Sequence, residues 1–299
     1  MDAAAEETAV GGEEGTRFFE KQPPLKTGQP EDATRGLADR MCLDPATFYA
    51  RMAKISDAIE KEADEFCAGS AEEITELRDI VDYVVNKKTS EKQYPNGIRD
   101  AGRSGKKPTY FTSHRIAQDA GLLPEEVHSL RIYTTFAYKY INNPLRDDNR
   151  YARHEQVPLP VVSHLAAEAI KKLRGQRVRM GTPETNIVLW RGMRNMAVTE
   201  NFLEKGGTEL AFMSTTTDLS VAVRYALSHH SLLFKIVAPN FMSCGAELKW
   251  LSVFPGEAEV LFPPLTYLQP TGKTDHVDAV DRNGTPVSFT VMEVVPSLA

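Results

Sequence analysis

Cysteine is scarce: three in 299 residues, Cys42, Cys67 and Cys244, odd in number and far apart. They form no C-x-x-C pair and no disulfide framework, which excludes a small disulfide-stapled secreted domain and fits a reducing compartment. No apolar run approaches the roughly 18 residues that a membrane-spanning helix needs. The first residues are acidic, with neither a basic start nor an apolar stretch, so no secretory signal is read there. A cytoplasmic protein without membrane contact is expected. Basic charge is not in excess: 35 Lys plus Arg stand against 41 Asp plus Glu, a formal charge of −6. Binders of nucleic acid or anionic membrane are normally basic, so no nucleic-acid partner is expected.

Several catalytic signatures are missing as well. There is no H-E-x-x-H, and His229-His230 are adjacent rather than four apart, so no metal is expected. Gly272-Lys273-Thr274 looks like the end of a phosphate-binding loop, but Tyr267 stands where that loop needs glycine. No G-x-S-x-G nucleophile elbow occurs.

What remains is an ordinary soluble composition, 41% hydrophobic and 25% charged. The length suits one large domain or two modest ones at roughly 100–200 residues each. Residues 1–37 carry eight acidic and four basic residues and little large apolar surface, so a disordered acidic tail is expected. Residues 38–86 read as a helical hairpin. Asp44 and Pro45 start one helix, with Phe48, Met52, Ile55 and Ile59 on one face. Ser70 and Glu73 form a capping box for a second, with the stripe Ile74, Leu77, Val81 and Val84. Residues 87–108 read as a solvated linker, or as an electrostatic contact for an acidic partner, with seven basic residues to two acidic over 87–107.

From 109 to 180 the pattern is helical. Pro124-Glu125-Glu126 starts a helix that Asn142-Asn143-Pro144 is expected to stop. Another runs from about Val161 to Arg174, with Gly175 as its cap. From 181 to 299 the texture is β. Strands are expected at 187–190, 210–215, 232–237 and 257–262, with a short helix starting at Asp218. Asn283-Gly284 suits the type I′ turn of a closing hairpin between 277–280 and 287–295. The fold class is α+β.

Three short segments carry chemistry. Leu189-Trp190-Arg191-Gly192 puts a guanidinium fork at a strand end, next to a glycine that lets a ligand approach the backbone. Phe212-Met213-Ser214-Thr215-Thr216 puts hydroxyls on a second strand, where they can bond a sugar or orient a carboxylate. Glu257-Ala258-Glu259 opens a third. On the expected strand 257–262 the two carboxylates share a face and shift each other's pKa.

The order and spacing of these segments resemble the Arg, Ser-Thr-Ser and Glu-x-Glu signature of arginine-specific mono-ADP-ribosyltransferases. Here the middle motif is Ser-Thr-Thr. Trp250 to Pro255, Val260 to Pro264, Leu130 to Thr134, Tyr140-Ile141-Asn142 and Leu145-Arg146 resemble the same family. The resemblance covers roughly 109–299. It implies a split β-sandwich with a helical subdomain, NAD+ as co-substrate without a metal, and an acceptor protein with an exposed arginine. It implies that Arg191 holds the phosphate and nicotinamide-ribose region and that the Gly192 backbone binds the carboxamide. Ser214 would orient the catalytic glutamate, supported by Thr215 and Thr216. Glu259 would bind the ribose 2′-hydroxyl and stabilise the cationic sugar, and Glu257 would activate the acceptor guanidinium. The loop with Trp250 and Phe254 would meet the acceptor. Tyr225 is a candidate for stacking on nicotinamide, and otherwise a core residue.

The chemistry is self-consistent. A fixed carboxylate stabilises an oxocarbenium-like centre. A guanidinium, with its pKa above about 12, needs a partner to accept its proton as it attacks. Two alternatives stay open: an NAD+ glycohydrolase using the same cleft, and a non-catalytic NAD+- or protein-binding module.

Overall fold

The computed structural model describes residues 25–66, 69–86, 100, 103, 106–181, 186–228, 230–280 and 284–298. The helices come first: α1 (Leu37–Arg40), α2 (Pro45–Met52), α3 (Ile55–Glu65), α4 (Ala71–Val81), α5 (Pro108–Thr112), α6 (Arg115–Ala120), α7 (Pro124–Tyr133), α8 (Tyr138–Arg146), α9 (Asp148–Ala152) and α10 (Pro160–Arg179). Then follow β1 (Ile187–Arg194), α11 (Glu200–Lys205), β2 (Gly207–Glu209), β3 (Met213–Thr216), α12 (Leu219–Ala226), β4 (His230–Ala238), β5 (Ala246–Glu247), β6 (Glu259–Phe262), β7 (Thr266–Val280) and β8 (Pro286–Ser297). Among the described residues no helix is long and apolar enough to cross a membrane.

The strands form one mixed sheet in the order β2-β7-β8-β4-β1-β3-β6-β5. β4 and β8 run parallel, and the other pairs are antiparallel. β1 and β3 meet at a single register pair, Trp190 with Thr216. The sheet is thus a five-stranded and a three-stranded block sutured at one point. Leu189, Phe234, Ile236 and Met292 of the larger block share a buried cluster with Met213, Val260 and Phe262 of the smaller. The helices cover the opposite face of the smaller block, where Phe212, Leu251 and Leu261 join the helical core. All four residues of β6 are therefore buried, as expected of a strand packed on both faces.

Local signals place the helices well. The Asp44 side chain accepts from the Thr47 amide at 3.0 Å, and Ser70 and Glu73 close their reciprocal box. Elsewhere the structure departs from expectation. For the tail, residues 1–24 lie outside the described residues. From Leu25 onward the chain is packed. Leu25 is buried, the Gly28 backbone pairs with Thr208, and a 3-10 turn spans Pro30–Thr34. The expected first helix of the hairpin is two. Lys54, at φ −127°, leaves the helical region, so Phe48 and Ile59 reach one core from α2 and α3. Glu62 of α3 accepts the Val161 and Val162 amides at 2.6 and 3.0 Å, capping the N-terminus of α10 from outside. Burial pushes its carboxyl up to about 7.

Pro144 does not stop a helix but lies inside α8, and its carbonyl is used by the Arg150 guanidinium at 2.7 Å. Gly175 is no cap either: α10 continues to Arg179. The expected strand at 210–215 begins only at Met213. The Ala211 amide bonds the Glu209 carboxylate at 3.1 Å and the Phe212 amide bonds Asn142 Oδ1 at 3.2 Å, so neither joins a ladder. The closing hairpin is much longer than 277–295, because β7 crosses Pro270 and Gly272 through an irregularity between Pro270 and Thr274. Arg282 and Asn283 of its turn lie outside the described residues.

Candidate active site

A cavity of about 760 Å3 opens between the helical layer and the sheet, beside the single-pair suture. α7 and α8 supply Tyr133, Asn142 and Arg146, and the connection between them supplies Phe136. β1 supplies Arg191 and Gly192, and β3 supplies Ser214, Thr215 and Thr216. Glu257, Glu259, Tyr225 and Phe254 complete the opposite wall. The structure therefore brings the three chemistry-bearing segments to one place.

Glu257 and Glu259 are not neighbours on one strand face. Glu257 ends a 3-10 turn (Pro255–Glu257), Ala258 takes a left-handed conformation at φ 47°, and β6 starts at Glu259. The turn, rather than strand alternation, brings both carboxyls to the cavity. Glu259 is buried, and its position is set by the ladder to Thr216. Burial pushes its carboxyl up to about 7; a hydrogen bond from Ser214 opposes this and the Glu257 charge adds to it. Glu257 is also raised by burial, while the Tyr225 hydroxyl, donating to it at 2.7 Å, pulls the other way. Tyr225 is thus not a core residue but the hydrogen-bond partner of Glu257, 41% exposed and lining the cavity.

The remaining residues divide by what they hold. Thr215 donates to the Val260 carbonyl at 2.6 Å and Thr216 to the Glu257 carbonyl at 2.7 Å, so both hydroxyls brace the backbone that carries the carboxyls. Gly192 has a packing reason to be glycine. A Cβ there would lie 2.0 Å from the Ala222 carbonyl oxygen, so only glycine lets α12 cross β1 this closely. Of the two aromatics expected to meet an acceptor, Phe254 lines the cavity. Trp250 instead stacks on His114 with ring centroids 4.9 Å apart and packs against the helical core.

Sequence reasoning gave Glu209 no role and named Arg146 only as part of a resemblance. Arg146 Nε donates to Glu209 Oε1 at 2.9 Å, and Arg191 Nη2 approaches Glu209 Oε2 at 3.5 Å. Arg191 Nη1 also donates to the Ser214 carbonyl at 3.1 Å. Burial alone would raise the Glu209 carboxyl, but Arg146 and Arg191 outweigh it and hold the carboxyl below its ordinary value. The one signal available was a carboxylate directly before the apolar run Leu210-Ala211-Phe212-Met213. Glu76 of α4, which lines the cavity itself, gave no signal at all.

The cavity thus pairs two braced guanidiniums with two carboxyls that form no ion pair among the described residues. Such a space can hold a polyanion at one end and stabilise a positive charge at the other. Among the described residues no cluster of three or more metal-ligating side chains occurs.

A family model described as ADP-ribosyltransferase exoenzyme matches residues 111–278. No curated protein matches the chain. Among solved structures, exoenzyme S from Pseudomonas aeruginosa, bound to human 14-3-3 protein beta and carba-NAD, is 18% identical, with a TM-score of 0.40 over 73% of this chain and 88% of that one. HopU1 of Pseudomonas syringae pv. Tomato is 17% identical, with a TM-score of 0.43 over 74% and 97%. BECa, an ADP-ribosylating toxin of C. perfringens solved with NADH, is 16% identical, with a TM-score of 0.39 over 62% and 47%.

Proposed function

We propose a specific reaction for this chain, which belongs to the ADP-ribosyltransferase exoenzyme family: transfer of ADP-ribose from NAD+ to an arginine guanidinium of an acceptor protein. The bond between ribose C1 and the nicotinamide nitrogen breaks, and its electron pair leaves with nicotinamide. A guanidino nitrogen bonds to C1 and gives up a proton. The observation that carries the reading is the convergence of Glu257 and Glu259 on a cavity that also holds Arg191 and Ser214.

Each residue has a task in this reading. Arg191 takes the phosphates, with Arg146 and Glu209 keeping its fork in place. The Gly192 backbone takes the carboxamide, and Ser214 orients Glu259. Glu259, raised toward neutrality while the cavity holds no cation, ionises against the positive charge that develops on the ribose. Glu257 pairs with the incoming guanidinium and accepts its proton. A cavity of about 760 Å3 is large enough for a dinucleotide.

The test is nicotinamide release from NAD+ by the purified chain, with and without agmatine. Release that rises with agmatine, together with ADP-ribosyl-agmatine by mass, supports the reading. Release indifferent to agmatine makes water the acceptor and the chain an NAD+ glycohydrolase. Absence of release, with heat stabilisation by NAD+, makes it a binding module.

A further inference from the structure

The loop between β5 and the Pro255–Glu257 turn holds four successive carbonyls that two arginines engage. Arg103 Nη1 donates to Lys249 O at 3.2 Å and to Trp250 O at 2.6 Å, and its Nη2 donates to Ser252 O. Arg131 Nη1 donates to Leu251 O at 2.7 Å. Thr134 Oγ1 accepts the next free amide, that of Val253, at 3.2 Å. Loop carbonyls normally face water, so two guanidiniums on one short loop are a specific fastening.

The fastening has its own support. Arg131 is held by Asp100 at 2.8 Å, with side chains 3% and 1% exposed, and lies 3.5 Å above the Phe111 ring. Tyr83 donates to the same Asp100 carboxylate at 2.6 Å. Arg103 belongs to the basic segment that reads as a solvated linker, and it precedes the matched residues 111–278. It does not line the cavity.

We propose that Arg103, together with the Asp100–Arg131 pair, is a positioning residue for acceptor transfer, fixing the loop that presents Phe254 and Glu257. This rests on the reading above, in which Glu257 serves the acceptor. Glu259 is held separately: it lies in the β3 ladder, and its carbonyl accepts the Leu248 amide at 2.9 Å. Loosening the loop therefore moves the acceptor side and leaves the NAD+ side in place.

The experiment compares the wild-type chain with Arg103→Ala and Arg103→Lys, the lysine keeping charge without the planar fork that reaches three carbonyls. Amide exchange over residues 249–257 is expected to speed up by about tenfold or more in both variants, with exchange in β3 and β6 unchanged. Transfer to agmatine is expected to fall about tenfold, mainly through the KM for agmatine, while acceptor-free nicotinamide release stays within about twofold. Unchanged exchange over 249–257, or an equal fall in transfer and release, overturns the proposal. The two readings fail separately. A wild-type chain that never releases nicotinamide defeats the proposed reaction, whereas the exchange comparison still decides whether Arg103 holds the loop.

Discussion

Glu259 lines the cavity and Glu209 backs the Arg146 and Arg191 side chains that line it, yet the two are equally buried, Glu209 at 8% and Glu259 at 7% exposure. Their carboxyls behave in opposite ways. Glu209, between Arg146 and Arg191, is held below its ordinary value. Glu259, with only the Ser214 hydroxyl and the Glu257 charge for company, is pushed up to about 7. Since burial is matched, neighbours alone make the difference. The arginine side of the cavity is electrostatically complete. The other is short of a cation, and that deficit is what a positively charged reacting centre would fill.

The contrast can be broken from either side. The largest effect is expected from Glu259→Gln, which should cut nicotinamide release by about 100-fold or more; turnover at the wild-type rate would remove Glu259 from the reaction. Next is Glu257→Ala, expected to leave acceptor-free release within a few-fold while transfer to agmatine drops by about 100-fold. The ratio of the two products measures this, and transfer that survives would take the acceptor role away from Glu257. On the arginine side, Glu209→Ala leaves two half-buried guanidiniums without their carboxylate and should destabilise the fold by about 1–3 kcal/mol in urea unfolding. A loss under about 0.5 kcal/mol would mean that the arginines do not depend on it.

Stability against pH sharpens the same contrast. The folded Glu259 carboxyl titrates near 7 and its unfolded reference is 4.5, so the folded state binds more protons between these values. This contribution is fully present below about 4.5 and is lost as pH rises through about 7. Glu259→Gln should therefore stabilise the protein at pH 8 by up to about 3 kcal/mol and do little below pH 4.5. Equal unfolding midpoints for both proteins at pH 8 would show that the buried carboxyl carries no such strain. The smallest effect is expected from Tyr225→Phe, which removes one hydrogen bond to Glu257 and should slow transfer by a few-fold at most, about 1 kcal/mol. Steady-state rates with agmatine decide it.

Features held by neighbours in the chain were readable beforehand. The caps at Asp44, Ser70 and Asp218 rest on bonds two or three residues long. Arg191, Ser214 and Glu259 stood out because each lies in a short string with its own logic. Features made by distant contacts were not readable. Glu209 meets Arg146 across 63 positions of sequence, and Arg103 meets the 249–252 carbonyls across about 147. Even local reasoning failed where one residue changed the geometry. A left-handed Ala258 cancelled the alternation assumed for Glu257 and Glu259, and a helix that tolerated Gly175 ran past its expected end.

The single Trp190–Thr216 pair has a mechanical consequence. The two blocks of the sheet are joined by one ladder pair and by the buried side chains they share, so few backbone bonds resist their separation. Arg191 belongs to one block, and Ser214 and Glu259 to the other. A dinucleotide held by all three would act as a splint across a seam. Its binding energy would appear as resistance to partial opening along that seam.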